Sequence, residues 1–298
     1  MSRRDRGLAL RLSGSLLLLM GVAAVMAPLI APQNPFDIAS LHLFDSLSPP
    51  AILAGSLMPF PLGSDGQGRD ILSAILYGAR LSFMTGCLAV LLAAAIGVPI
   101  GLVAGFAGHL VDIIVMRLAD AQLAIPALLL ALLADGVARV VLPRSWLESA
   151  AIPILVAAIG LARWPHFARL VRTGTQLQRR RDYVSSARLS GLNSFDIVLD
   201  HVLPNITGPV LVMLSISMGL AVMDEATLSF LGVGLPPTRP SLGTLIRIGS
   251  DYLLSGEWWV VVFPILALAV PLVLANIFAD ALRSRFDSGE RAVGGVGA

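Results

Sequence analysis

Six long apolar stretches organise the chain: 12–31, 82–106, 111–134, 150–162 (continuing toward 171), 206–231 and 258–281. None keeps a polar face at helical spacing, so a helix built from any of them is apolar all round. A run of about 20 such residues spans the ~30 Å hydrocarbon core of a bilayer. In that solvent every backbone N–H and C=O must be satisfied internally, which selects helices. The pattern predicts an all-α, polytopic membrane protein with about six transmembrane helices. The fourth run is the weakest, because Arg163 and Arg169 at its end have to snorkel to the membrane edge.

Charge placement sets the orientation. Arg69, Arg80, Arg139, Arg144, Arg239 and Arg247 fall in the segments on one side, and the other fifteen arginines fall on the opposite side. The positive-inside rule makes that richer side cytoplasmic. The predicted layout is a cytoplasmic N-terminus over 1–11, a first transmembrane helix over 12–31 and an external segment over 32–81. A core of five transmembrane helices occupies 82–282, interrupted by a long cytoplasmic loop over 163–205. A cytoplasmic tail covers 283–298, so both termini are expected inside. Arginines ahead of an apolar run also suit a signal peptide, but this run is too long and no A-x-A site comes after it, so the first helix is expected to be retained.

The external segment is rich in turn formers, with Gly55, Pro59, Pro61, Gly63, Gly66 and Gly68. After them 70–81 has apolar residues at helical spacing and predicts a short surface helix leading into the second span.

Composition narrows the chemistry. Hydrophobic residues make up 56% of the chain and charged residues 13%, against roughly a quarter charged in soluble domains. All 21 basic residues are arginine. A phosphate-binding GxxxxGK[ST] loop needs lysine, so the chain carries no nucleotide-hydrolysing site of that kind. The arginines lie at helix ends rather than on one basic face, which excludes a nucleic-acid partner. The single cysteine, Cys87, reads as a small buried hydrophobe. His42, His109, His166 and His201 share no ligand spacing, so neither a metal site nor a cofactor is expected.

Within the loop, the run Arg179–Arg181 alone reads as a topology anchor beside anionic lipid. The residues after that run carry more information. Small residues at Ser185, Ser186, Ala187 and Ser190 precede Gly191, a helix stop. Phe195, Val198, Leu199 and Val202 then recur at helical spacing before Pro204, a second stop. Two short helices outside the bilayer form a knob that another protein can grip.

This stretch resembles the E-A-A-x-x-x-G…I-x-L-P loop of ATP-binding-cassette (ABC) importer permeases, matching at Ala187, Gly191, Leu203 and Pro204, with Ser185 and Ser186 replacing the motif's Glu and first Ala. His201 and the run to Asn205 are similar to the peptide-importer branch. Two further stretches resemble the C-type permeases of the dipeptide, oligopeptide and nickel group. One runs over 62–82 and contains Gly63, Asp65, Gly68, Arg69 and Asp70; the other is Glu225 to Gly234. Asn276, Asp280, Leu282, Arg283 and Asp287 resemble that group's closing pattern.

The resemblance covers about residues 60–287 and implies a type I ABC importer permease fold. It also implies a second homologous permease subunit as heterodimer partner, two cytoplasmic ATP-binding subunits and an extracytoplasmic solute-binding protein. The location would be a bacterial inner membrane, with the lipid bilayer as solvent. Tyr183, Ser185, Ser186, Ala187, Gly191, His201, Leu203 and Pro204 become the ATPase-coupling loop, and the chain itself is no enzyme. Peptide is the expected cargo, with nickel or a metal chelate, glutathione or an opine as alternatives. An intramembrane enzyme is the remote alternative, and it needs a Ser–His pair or facing acids that the spans do not supply.

An acid inside a span is costly and usually faces a cavity or a partner; of Asp224 and Glu225, the latter is the candidate for the translocation path. Arg117 and Asp120 share a helix face and are expected to pair, as are Asp280 and Arg283. Gly97, Gly101, Gly105 and Gly108 form a GxxxG stripe expected at a subunit interface.

Overall fold

The computed structural model describes residues 3–37, 41–51, 60–235 and 238–294. The expected turn formers Gly55 and Pro59 lie outside them. Among the described residues the fold is helical: α1 (Arg3–Val25), α2 (Ala27–Ile30), α3 (Ile71–Phe106), α4 (His109–Leu123), α5 (Ala127–Val141), α6 (Arg144–Arg179), α7 (Asp182–Leu189), α8 (Ser194–Phe230), α9 (Leu242–Ser250) and α10 (Trp259–Gly294). Five helices are long and apolar enough to cross a membrane: α1, α3, α6, α8 and α10. The pair α4 and α5 makes a sixth crossing only as a broken span, bent by 81°. The sequence presents 111–134 as one run, but Pro126 caps α5 and biases Ile125 away from helical geometry, so the run breaks there.

α3 and α6 form the spine. Each has 36 residues, about 54 Å at 1.5 Å per residue, which is longer than the hydrocarbon core. They run parallel, and the glycine stripe lies in their seam. A Cβ at Gly97 would sit 2.6 Å from Phe167 Cβ, one at Gly101 2.6 Å from the Ala168 carbonyl oxygen, and one at Gly105 2.6 Å from Thr175 Cβ. The stripe therefore brings two helices of the same chain into backbone contact. Gly108 takes no part; it caps α4 with φ +117, and a Cβ there meets nothing within 4 Å.

The 70–81 stretch is the first three turns of α3 rather than a separate helix. Asp70 caps it, its carboxylate accepting from Ser73 N–H at 2.8 Å and Ser73 Oγ at 2.5 Å. α1 packs antiparallel on α10, with Gly14 against Phe278 and Ala24 near Ala267 and Leu268, so both helices place their terminal ends at the same face of the bundle. The main core cluster joins Ala89, Val90, Ala93, Ile159, Phe167 and Leu228. Cys87, expected inside, is exposed on the side of α3.

Candidate functional site: a knob and a plug

At one end of the bundle the chain after α6 folds into a knob. The expected loop 163–205 begins later than the sequence suggests, because 163–179 continues α6 as helix. α7 ends in a left-handed glycine, Gly191 at φ +84. Leu192 N–H donates to the Ala187 carbonyl at 3.2 Å and Gly191 N–H to that of Arg188 at 3.0 Å, the paired bonds of a Schellman stop. Asn193 then caps α8.

Pro204 does not end α8. Residues Ile197–Val202 widen into a π turn, with Leu203 N–H donating to the Val198 carbonyl, and the helix continues to Phe230. The wider turn accommodates the proline, which has no N–H to donate and whose ring crowds the carbonyl four residues back.

The knob has its own core. Val184, Ala187, Ile197 and Val202 are buried together against Leu102 and Phe106 at the end of α3. Arg179 and Arg188 place their guanidinium groups 5.6 Å and 5.2 Å from the Phe106 ring centroid, and Arg179 also donates to the Phe106 carbonyl at 3.1 Å. Tyr183 Oη donates to Gln178 Oε1 at 2.8 Å, and its ring stacks on His201 at 6.4 Å. Burial pushes the Tyr183 phenol up from its ordinary pKa, with the Arg181 charge and a bond from Asn205 opposing. Outward, Leu189 is 90% exposed and Phe195 65%, with Leu192 and Leu199 beside them.

At the opposite end, 41–51 and 60–70 fold back on each other into a plug. Ser64 N–H donates to the Ser48 carbonyl at 3.0 Å, Ser48 N–H to Ser64 Oγ at 2.8 Å, and Trp259 Nε1–H to the Ser64 carbonyl at 3.3 Å. Gly63, at φ +86, is pressed against Ser48 and Trp259, and Gly68, at φ +76, against the His42 carbonyl. Asp65 Oδ1 accepts from Gln67 N–H at 2.8 Å and Arg69 N–H at 3.0 Å. Burial lifts the Asp65 carboxyl above the usual carboxylate range, with those two bonds and the Arg69 charge opposing. All five signature residues, Gly63, Asp65, Gly68, Arg69 and Asp70, are buried, so they build the plug instead of presenting side chains.

Between the two ends, charges pair across helices. Arg163 on α6 donates through Nε (3.0 Å) and Nη2 (2.6 Å) to Asp224 Oδ2 on α8. Arg169 pairs with Asp120, and Arg172 with Asp112, both on α4. Asp120 thus bonds across to α6 and not to Arg117 on its own helix. Asp280 and Arg283 likewise form no ion pair with each other. Glu225 is 0% exposed; Ser229 Oγ donates to its Oε1 at 2.7 Å, and the hydroxyls of Ser82 and Ser241 face it. It joins α8 to α3 and to the cap of α9, inside the packing rather than on an open surface.

Known proteins point the same way. The family model of binding-protein-dependent transport system inner membrane components matches residues 97–289, which contain the knob, all of α6 and the end of α3. The chain belongs to this family. Among relatives, the di/tripeptide transport system permease protein DppC of Pseudomonas aeruginosa (strain UCBPP-PA14) is 36% identical over 271 residues, covering 91% of this chain and 85% of the relative. The dipeptide transport system permease proteins DppC of Haemophilus influenzae (strain Rd) and Escherichia coli (strain K12) are 34% and 37% identical. They cover 91% and 89% of this chain and 87% and 83% of their own lengths. The fold matches an inward-facing structure of the MetNI methionine ABC transporter, with TM-score 0.57 at 21% identity, over 72% of this chain and 97% of that one.

The permease is therefore a multi-pass inner-membrane transport subunit with the fold that the resemblance implied. Of the expected coupling residues, Tyr183, Ser185, Ser186, Gly191 and Pro204 are exposed, whereas Ala187 is buried and Leu203 and His201 are half-buried. Ala187 belongs to the knob's own core, and His201 stacks on Tyr183. The Arg163–Asp224 pair was missed in the sequence. The signal was present, since a charge inside an apolar run requires a partner at its own depth, but no spacing rule names that partner. Among the described residues no group of three His, Cys, Asp or Glu forms a metal site.

Proposed function

We propose that this permease moves peptides across the inner membrane as one half of a heterodimeric channel, driven by two cytoplasmic ATP-binding subunits. Each ATPase grips one knob, here Tyr183 to Pro204, and an extracytoplasmic binding protein delivers cargo to the side that carries the plug. Both termini then lie in the cytoplasm, on the arginine-rich side. The observation that carries the reading is the knob itself. Its inner face is locked onto the end of α3 through Val184, Ile197 and Val202, while Leu189, Leu192, Phe195 and Leu199 face outward. A lever needs that combination of a rigid root and an apolar grip. Exposed apolar side chains in a group mark a partner site, and the dipeptide permeases among the relatives support peptide as cargo.

The test is reconstitution of this chain with its partner permease, ATPases and binding protein in liposomes. ATP-dependent dialanine uptake is expected only with all components present. Leu189→Asp with Phe195→Asp is expected to release the ATPases on co-purification while the chain stays in the membrane. ATPase retention by that variant would remove the grip assignment, and uptake without ATPases would remove the ATP-driven reading.

A further inference from the structure

A cleft of about 340 Å³ opens between α5, the start of α6 and the segment after α8. Four charged side chains line it: Asp135, Arg139, Glu148 and Arg247. Two of them neutralise each other, Arg139 Nε bonding Asp135 Oδ2 at 2.6 Å. The other two form no ion pair among the described residues. Glu148 is exposed, and among the described residues its Oε1 accepts from the Thr238 hydroxyl at 3.2 Å. Arg247, half-buried on α9, has no ion-pair partner among the described residues. The walls between these charges are apolar, built by Leu147, Ala151, Ile154 and Leu235.

A second cleft of about 200 Å³ adjoins it, sharing Glu148 and Leu235 and adding Ser145, Ser149, Thr238 and Arg239. Glu148 is thus the one carboxylate common to these two compartments, with Arg247 lining one and Arg239 the other.

The half-buried Arg247 guanidinium loses hydration without a compensating pair, while the exposed Glu148 carboxylate is open to an incoming cation. A ligand bearing an anionic and a cationic end supplies both partners at once. An extended dipeptide is about 7 Å long at 3.3–3.6 Å per residue, and a cleft of this size holds it. We propose that this cleft is a transit site that holds peptide cargo by its charged ends. Arg247 takes the α-carboxylate as a two-toothed fork, and Glu148 takes the α-ammonium. The apolar walls receive the side chains without selecting among them. The proposal rests on the peptide-import reading and adds to it a named site on this subunit. Two single charges, both partly wet, hold cargo weakly enough for it to leave, as conduction requires.

The test uses the complete transporter in proteoliposomes, with dialanine-loaded binding protein in excess, and reads dialanine imported per ATP hydrolysed. Losing one charge-assisted contact of this kind corresponds to roughly a tenfold effect. Arg247→Gln and Glu148→Gln are each expected to lower import per ATP about tenfold, and Arg247→Lys to restore most of it. Import per ATP at the wild-type value in both neutral variants overturns the proposal. So does loss of co-purification with the partner permease in either variant, which makes the cleft a subunit seam. A wild-type complex that hydrolyses ATP but imports no dialanine overturns the peptide reading itself, and is distinguished by needing no variant.

Discussion

Gly191 shows what one residue decides. Its φ of +84 lies in the region that costs an L-residue with a Cβ about 1–2 kcal/mol. A Cβ there meets nothing within 4 Å, so the constraint is the backbone angle and not crowding. Gly191→Val is therefore expected to misdirect the Schellman stop and abolish ATP-dependent uptake with membrane insertion intact. Gly191→Asn, which tolerates that angle, is expected to retain most uptake. Transport assays on membranes with matched permease content separate the two; equal activity would show that the stop does not set the knob's direction. This residue was legible in the sequence, because a glycine after a short helical pattern has a specific backbone meaning. The burial of Ala187, one turn earlier, was not, since small residues suit a tight core and a close partner equally well.

At the scale of elements, the glycine stripe of α3 was visible as a motif but its partner was not. GxxxG spacing states that some backbone comes close, and only the fold decides that it belongs to α6 of the same chain. Gly101→Leu is expected to separate the spine, because the first atom of the new side chain already lies 2.6 Å from the Ala168 carbonyl oxygen. Overpacking of this kind costs about 1–3 kcal/mol or more. Thermal unfolding in detergent should register it as a lower midpoint and poor recovery, whereas Gly136→Ala, outside the seam and with nothing within 4 Å of its Cβ, should unfold like the parent. α8 offers the reverse lesson. Its proline reads locally as a stop, yet the helix absorbs it in a π turn and continues from knob to plug side without interruption. That continuity gives the knob a direct mechanical link to Asp224 and Glu225 near the far end of the same helix.

Across the whole molecule, α6 is the hub that unites the parts. It packs along α3, bonds α4 through Arg169 and Arg172, and bonds α8 through Arg163. The Arg163–Asp224 pair is the sole ion pair among the described residues that ties α6 to α8, with side chains 12% and 26% exposed. Arg163→Ala leaves Asp224 without its donor in a poorly solvated place, a loss of about 1.5–3 kcal/mol for bonds to a charged group. The exchanged double variant Arg163→Asp with Asp224→Arg is expected to recover part of the stability that either single variant loses. A double-mutant cycle on detergent melting measures that coupling; a coupling of zero would mean that the pair does not join the two helices energetically.

The sequence by itself determined the solvent and the approximate number of crossings, because a bilayer asks one question of each segment: whether about 20 residues are apolar. It determined the family as well, through motifs whose residues are close in the chain. Only the tertiary structure decided that the third run is broken, that the signature within 62–82 is a buried plug, and which arginine answers which acid. Those outcomes depend on contacts between residues tens of positions apart, such as Arg163 with Asp224 or Gly101 with Ala168. Hydropathy gives each helix its place in the membrane, but it leaves open the rotation and the neighbour of every one.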